Sequence, residues 1–301
     1  MHGAKILVTG PTGQVALPIT LALARDNEVW GVARFTDAKA RDRLELAGVH
    51  CVPVDLSAGE LSAVPADVDY VLNLAVARTG KWDLDLDANV TSLGQLMAHC
   101  RGAKALLHCS STAVYALSPE RRLLAEDAAL GDNHKDMFPT YSICKIAAEG
   151  MARGVARQFG IPTTIARLNV PYGDNGGWPF WHLEMILRDV PIPVPPGGPA
   201  RYNPIHEDDF VAQVPKLLEI ASVPATTVNW AGEETVSLQE WCGFLADFAG
   251  KEPKFVEDPR AIPEVPMDLT RMHELIGAAT VSWQDGLRRM VAARHPELLK
   301  P

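Results

Sequence analysis

The chain has 301 residues, with 28 Lys or Arg against 37 Asp or Glu, a formal net charge of −9. That balance repels phosphate backbones, and the absence of any basic run of about five to eight residues sets nucleic-acid binding aside. At 47% hydrophobic and 22% charged the chain can bury a large core, which excludes a disordered chain, and no solenoid-period repeat is visible.

The opening MHGAKILVTG carries an apolar stretch that is broken by glycine and too short for a signal-peptide core or a membrane span. A cytoplasmic protein with no membrane partner is therefore expected. Five cysteines (Cys51, Cys100, Cys109, Cys144, Cys242), odd in number and without a CxxC, suit reduced thiols in that compartment.

Apolar runs of strand length at 5–9, 28–33, 50–54, 70–74, 105–110 and 163–168 alternate with segments of helical period. This rhythm predicts an α/β fold, a Rossmann-type doubly wound parallel sheet. Directly after the first run comes TGPTGQVA, where Thr9, Gly10, Thr12, Gly13, Gln14 and Val15 form a tight turn before an apolar helix. Small residues there let the backbone approach a pyrophosphate, whose charge is stabilised by free amides and the helix N-terminus. The second run ends in Arg34, where NAD-specific folds usually place an acid. A guanidinium there favours NADP, with NAD possible should Asp37 read the ribose.

The fifth run delivers Ser110, Ser111 and Thr112 at its carboxyl end, where such sheets bind ligands. Tyr141 and Lys145 then sit four apart in a segment of helical period, so an ammonium falls beside a phenol. A nearby cation stabilises a phenolate, which makes Tyr141 a candidate proton relay, and the serines could hold a carbonyl oxygen.

Beyond about residue 172 the texture changes to Trp178, Phe180, Trp181 and the run VPIPVPPGGP at 190–199, which fits neither a helix nor a central strand. The segment 237–250 has capping-box spacing at its start and glycine at its end, and reads as a complete helix. The expected organisation is a dinucleotide-binding domain over 1–171, with 201–230 returning to it, and a smaller substrate-binding cap from 172–200 and 231–301. Trp178 and Trp181 are candidate walls of a substrate pocket. No metal site is expected, because the residues of His99-Cys100 and of His108-Cys109 are adjacent pairs without a second set nearby. The acidic DLDLD at 83–87 reads as a helix start.

Glycine turn, strand-end serine and Tyr-x-x-x-Lys together resemble the extended short-chain dehydrogenase/reductase family, of the NAD(P)-dependent epimerase/dehydratase type, over nearly all of the chain. Asp55 and Leu56 match its adenine-contacting pair, Leu74, Ala75 and Val76 in NLAV its cofactor wall, and Asn89 its helix asparagine, while IHEDDF at 205–210 also recurs there. The resemblance implies that Tyr141 is the acid/base, that Ser111 donates to the substrate carbonyl, and that Lys145 holds the nicotinamide ribose and lowers the tyrosine pKa. It also implies a small-molecule carbonyl or alcohol substrate, contacts from Thr112 and Asn169, acidic residues 207–209 as a helix-capping turn, and a homodimer paired through helices near 89–101 and 142–158.

Two departures stand out. In RLNVPYG, Val170 occupies the place of the family asparagine, with Asn169 one position early, and Arg201 precedes His206 by five residues instead of four. Both argue against a UDP- or dTDP-sugar. The Asp-Glu pair of dehydratases is replaced by Thr112 and Ala113. The preferred reading is thus a reductase or dehydrogenase using NADP. A NAD-dependent nucleotide-sugar 4-epimerase is the alternative, and a non-catalytic NADPH-binding sensor or scaffold is the alternative of another class.

Overall fold

A computed structural model describes residues 1–117 and 122–299. Its centre is a seven-stranded, wholly parallel sheet. Six strands fall where the apolar runs place them: β1 (Lys5–Thr9), β2 (Glu28–Ala33), β3 (His50–Pro53), β4 (Tyr70–Asn73), β5 (Ala105–Ser111) and β6 (Thr163–Leu168). Their order across the sheet is β3-β2-β1-β4-β5-β6, and Thr226–Trp230 closes the far edge beside β6. The return of the chain to the sheet after the first cap segment thus takes the form of a seventh strand.

Strand residues alternate between two cores, since successive side chains leave a strand on opposite faces. Ile6, Val8, Leu72, Leu107 and Ala166 pack on one side, with Ile19 of α1 (Ala16–Leu23) and Phe210 and Leu217 further along. Leu7, Val71, Leu106 and Ile165 pack on the other, against Leu93 and Met97 of one helix and Ala148 and Ala152 of another. Helices therefore cover both faces, which is why the strands read as continuous apolar runs.

On the first turn of the sheet edge, α2 (Ala38–Leu46) is capped by Asp37, whose carboxylate accepts from Lys39 N and Ala40 N. After β4 the chain forms α3 (Trp82–Leu86), passes through a π turn at Asp87–Thr91, and continues as α4 (Ser92–His99). The long helix α5 (Tyr141–Phe159) ends on Gly160 in the left-handed conformation, φ +70°.

The cap is built from α6 (Trp178–Leu187), α8 (Leu238–Ala249), α9 (Thr270–Ile276) and α10 (Trp283–Arg294), while α7 (Glu207–Glu219) lies against the sheet. The capping box read in the sequence is present, with Ser237 and Glu240 bonding reciprocally at the start of α8. The proline-rich run supplies only a short strand, Ile192–Val194, paired with Phe255–Glu257 in a two-stranded sheet. The acidic residues 207–209 lie in the first turn of α7, and the cap itself is the His206 ring, which accepts from Asp208 N. The core on the α1 side of the sheet continues without a break into the cap, so the two parts share one apolar interior.

Candidate active site

Every residue of the expected cofactor turn lies at the carboxyl edge of β1, next to the start of α1. Gly10 adopts φ +63°, and a Cβ there would stand 2.9 Å from the Cα of Ala75. Both facts require glycine. The first helical turn of α1 has no side-chain cap at Val15; Leu17 N bonds the Gly13 carbonyl and Pro18 carries no N–H, which leaves the Ala16 amide of that turn for an anion. Gln14 Nε2 is buried and has no hydrogen-bond partner among the described residues. A bare backbone cradle, an open helix N-terminus and an orphaned donor fit a dinucleotide pyrophosphate.

Buried polar contacts tie the neighbouring strands together beneath this turn. The Thr9 hydroxyl accepts from the amides of Leu74 and Ala75 and donates to Asn73 Oδ1, 3.0 Å in each case. Asn73 Nδ2 then lies 3.0 Å from His108 Nδ1, which leaves Nε2 to carry the ring proton, buried and without a partner among the described residues. Burial, reinforced by the charge of Lys145, pushes the His108 pKa down to about 3, so the ring stays neutral. His108 is thus a link between strands, and His99 bonds the Val64 carbonyl.

Asn89, expected beside the cofactor, has its amide engaged at both ends. It accepts from Ala77 N and donates to Ala77 O and Asp85 O. Leu74 and Ala75 are half-buried and Val76 is exposed, along the sheet edge that Asn89 and Thr9 hold in place. Arg34 is exposed at the end of β2, and Asp37 is committed to its helix cap. Asp55 accepts from the Ser57 amide and hydroxyl; these bonds, with a smaller contribution from Arg34, hold its carboxyl below the usual range. Leu56 follows it in a short helical turn, half-buried.

Ser111 ends β5, and its Oγ accepts from Ala113 N at 3.2 Å. That leaves its own hydroxyl proton free to donate. Ser110 points the other way, donating to Glu149 Oε1 at 2.7 Å in a buried cluster where Glu149 also receives Arg167 and Arg153. Burial would raise the Glu149 pKa, but the Arg167 guanidinium, the Ser110 hydroxyl and Arg153 together outweigh it and hold the carboxyl below its usual value. Ser110 is therefore a structural residue.

Tyr141 is the first residue of α5, and Lys145 lies one turn on, with Nζ 5.9 Å from the phenol ring centroid. Lys145 Nζ donates to the Cys109 carbonyl of β5 at 2.7 Å, which anchors the ammonium two residues from Ser111. The strand-end serine, the phenol and the ammonium are thereby carried by one packed pair of elements, β5 and α5.

Sequence reasoning missed two residues here. Asp85 has no exposed surface and accepts from Thr79 N, Thr79 Oγ1, Gly80 N and Thr140 Oγ1. Burial would raise its pKa, but these bonds win and hold it below the usual carboxylate range. Thr140 immediately precedes Tyr141, so this carboxylate fixes the start of α5. The second is Arg78, whose guanidinium lies 5.2 Å from the Phe138 ring centroid and 5.8 Å from that of Tyr141. His134 stacks near both aromatic rings, and burial, then Arg78, pushes its pKa down to about 4.

The expected substrate contacts fare differently. Thr112 is buried and opens the turn after β5. Asn169 is buried with both side-chain atoms in use, donating to Val265 O and accepting from Val170 N. Trp178 packs edge-on against Tyr202 and Trp241 inside the cap, and Trp181 is 63% exposed. Trp178 is half-buried in that aromatic cluster, and Trp181 presents its ring to solvent. Arg201 pairs with Glu264.

The seven-stranded parallel sheet with helices on both faces defines an α/β protein of Rossmann type. The model of the NAD dependent epimerase/dehydratase family matches residues 6–229, and the chain belongs to that family. It is 27% identical over 214 residues to UDP-glucuronate 4-epimerase 1 of Arabidopsis thaliana, covering 64% of this chain and 49% of that protein. It is 24% identical over 250 residues to GDP-mannose 3,5-epimerase 1 of Oryza sativa subsp. indica, covering 75% and 64%. The chain thus spans about half of the first of these curated relatives and just under two thirds of the second. Among solved structures, UDP-glucuronic acid 4-epimerase from Bacillus cereus, in complex with UDP-glucuronic acid and NAD, superposes with a TM-score of 0.82 at 22% identity, over 98% of this chain and 100% of that one. UDP-N-acetylglucosamine 4-epimerase from Methanobrevibacter ruminantium M1 gives 0.84 at 18%, over 99% and 100%. Among the described residues no helix is long and apolar enough to cross a membrane.

Proposed function

We propose that the chain holds NAD at the Gly10 turn and interconverts epimers of a nucleotide sugar by transient oxidation of a secondary alcohol. The observation that carries this reading is the anchoring of Lys145 on the Cys109 carbonyl, beside Tyr141 and two residues from Ser111. NAD, when bound, supplies the hydride acceptor and returns the hydride. Tyr141 Oη takes the proton of the reacting hydroxyl and gives it back. The Ser111 hydroxyl, whose oxygen already accepts from Ala113 N, donates to the carbonyl oxygen that forms. Lys145 spends one of its three donors on Cys109 O and keeps two for the nicotinamide ribose and the phenol.

The sequence reading favoured a reductase with NADP; the epimerase relatives, and the NAD in the superposed Bacillus complex, support the 4-epimerase alternative and NAD instead. The reductase remains the second reading because Val170 is a buried apolar residue at the asparagine position and Arg34 stands exposed where an acid would select NAD. The chain also pairs as a homodimer through α4 and α5 in this proposal, a reading supported by the exposed Ile143 and by Gly150 and Gly154, which face open space on α5. Light scattering at micromolar concentration checks the dimer.

The test of function is to incubate the protein with NAD and UDP-glucuronate or UDP-glucose and follow the 4-epimer by NMR. Interconversion that Tyr141→Phe abolishes is the expected result. No interconversion, with stoichiometric NADPH oxidation on a ketone, would overturn it in favour of the reductase.

A further inference from the structure

The loop that follows β4 is held far more tightly than a surface turn needs. Ala77 is clamped at both its amide and its carbonyl by Asn89, and Thr79 and Gly80 give their amides to the buried Asp85. Arg78 lies between these two clamps, on a backbone that cannot drift. Its side chain is exposed, yet it does not wander into solvent, because the guanidinium rests over the rings of Phe138 and Tyr141. It has no carboxylate partner among the described residues. A cavity of about 210 Å³ opens beside it, between residues 78–80 and 137–140.

An arginine so placed is a preorganised fork of donors with an unused charge, next to the phenol that would handle the reacting proton. Guanidinium geometry suits the two oxygens of a carboxylate. A ligand carboxylate would meet no competing acid here, since Asp85 is saturated by four donor groups behind the loop. Closeness to Tyr141 sets which part of the substrate it reads, namely a substituent near the carbinol carbon and not the distant nucleotide. We infer that Arg78 is a specificity residue that binds a carboxylate on the sugar ring, adjacent to the reacting hydroxyl, and selects uronic-acid over neutral nucleotide sugars. The inference rests on the nucleotide-sugar reading above and narrows it.

Calorimetry on the full chain saturated with NAD tests this without turnover, using UDP-glucuronate and UDP-glucose as probes. The wild type is expected to bind UDP-glucuronate about tenfold or more tightly than UDP-glucose, within what a charge-assisted pair supports. Arg78→Gln should bring the ratio of the two constants close to one, and Arg78→Lys should restore part of it. Equal affinities in the wild type, or a preference that survives Arg78→Gln, would overturn the inference and leave the nucleotide-sugar reading standing. Absence of binding for both probes would overturn that reading and the inference with it.

Discussion

Replacing Asp85 with Asn keeps the side chain's shape and removes its charge, so the change isolates what the carboxylate does. In the wild type one oxygen takes the Thr79 amide at 2.9 Å and the Thr79 hydroxyl at 2.8 Å, and the other takes the Gly80 amide at 3.0 Å and the Thr140 hydroxyl. Hydroxyls can rotate to accept from a new NH2 group, but amides cannot. If the NH2 replaces the second oxygen, Gly80 N–H loses its acceptor inside the protein. A bond to a charged acceptor contributes about 1.5–3 kcal/mol, and because Gly80 is exposed water can take over its freed amide. The expected loss is therefore about 1.5–3 kcal/mol, and Asp85→Ala, which removes every acceptor, should lose more. At about 2 °C per kcal/mol for a chain of this size, Asp85→Asn lowers Tm by roughly 3–6 °C in scanning calorimetry.

The pH dependence gives an independent check. Because the folded Asp85 has a depressed pKa, its stabilisation is present above the unfolded carboxyl value of about 3.9 and is lost as pH falls through the folded one. The difference between wild type and Asp85→Asn should hence be largest near neutrality and shrink below about pH 4. An Asp85→Asn protein as stable as the wild type at pH 7, or a difference that grows in acid, would refute the clamp.

Gly10→Ala must place a Cβ against Ala75 at a positive φ, a strain of about 1–2 kcal/mol before the clash, and should weaken NADH binding by at least tenfold in a fluorescence titration. Glu149→Ala leaves the buried Arg167 guanidinium without its carboxylate and should destabilise by about 3–5 kcal/mol in urea unfolding, whereas Ser110→Ala removes one contact to the same carboxylate and should cost far less. Arg34→Asp should lower NADP affinity relative to NAD by an order of magnitude or more, read from the two dissociation constants; an unchanged ratio would mean that Arg34 stays in solvent.

The parts of this molecule that could be read from sequence are those where one residue type has one physical use. A six-residue apolar run without alternation fits a strand buried on both faces, and all six runs proved to be strands. Glycine at position 10 announces a backbone that no side chain tolerates. Tyr141 and Lys145 are four apart on one helix, so their neighbourhood follows from helical geometry alone. The parts that escaped are those where one residue type has several uses and only burial chooses among them. Asp85 sits between Leu84, which is 52% exposed, and Leu86, so DLDLD looks like a solvated helix start. Its burial comes from the loop at 77–80 folding over it and from Thr140, fifty-five residues on, neither of which leaves a local pattern. Trp178 and Asn169 carry the same ambiguity: an indole can wall a pocket or fill a core, and an amide can meet a ligand or a loop.

In the proposed mechanism the reacting groups are held by contacts internal to the sheet and its helices: Thr9 to Asn73 to His108, Lys145 to Cys109, Asp85 to Thr140. None involves the cap. The cap, in turn, spends its aromatic rings on one another, with Trp178, His182 and Trp241 in mutual contact and Tyr202 packed against Trp178 and Trp241, while the side chains of Asn169 and Arg201 are spent on Val265 and Glu264. Polar groups already satisfied within the protein have little left for a ligand, because a second partner gains only what the first must give up. In the proposed reading substrate discrimination then falls to charged groups near the site that have no ion-pair partner among the described residues, and Arg78, which lies against Tyr141, is such a group. A change at position 78 could alter what is bound while the strand-end serine, the phenol and the ammonium keep their places, since the clamps on either side act through the backbone and ignore the side chain between them.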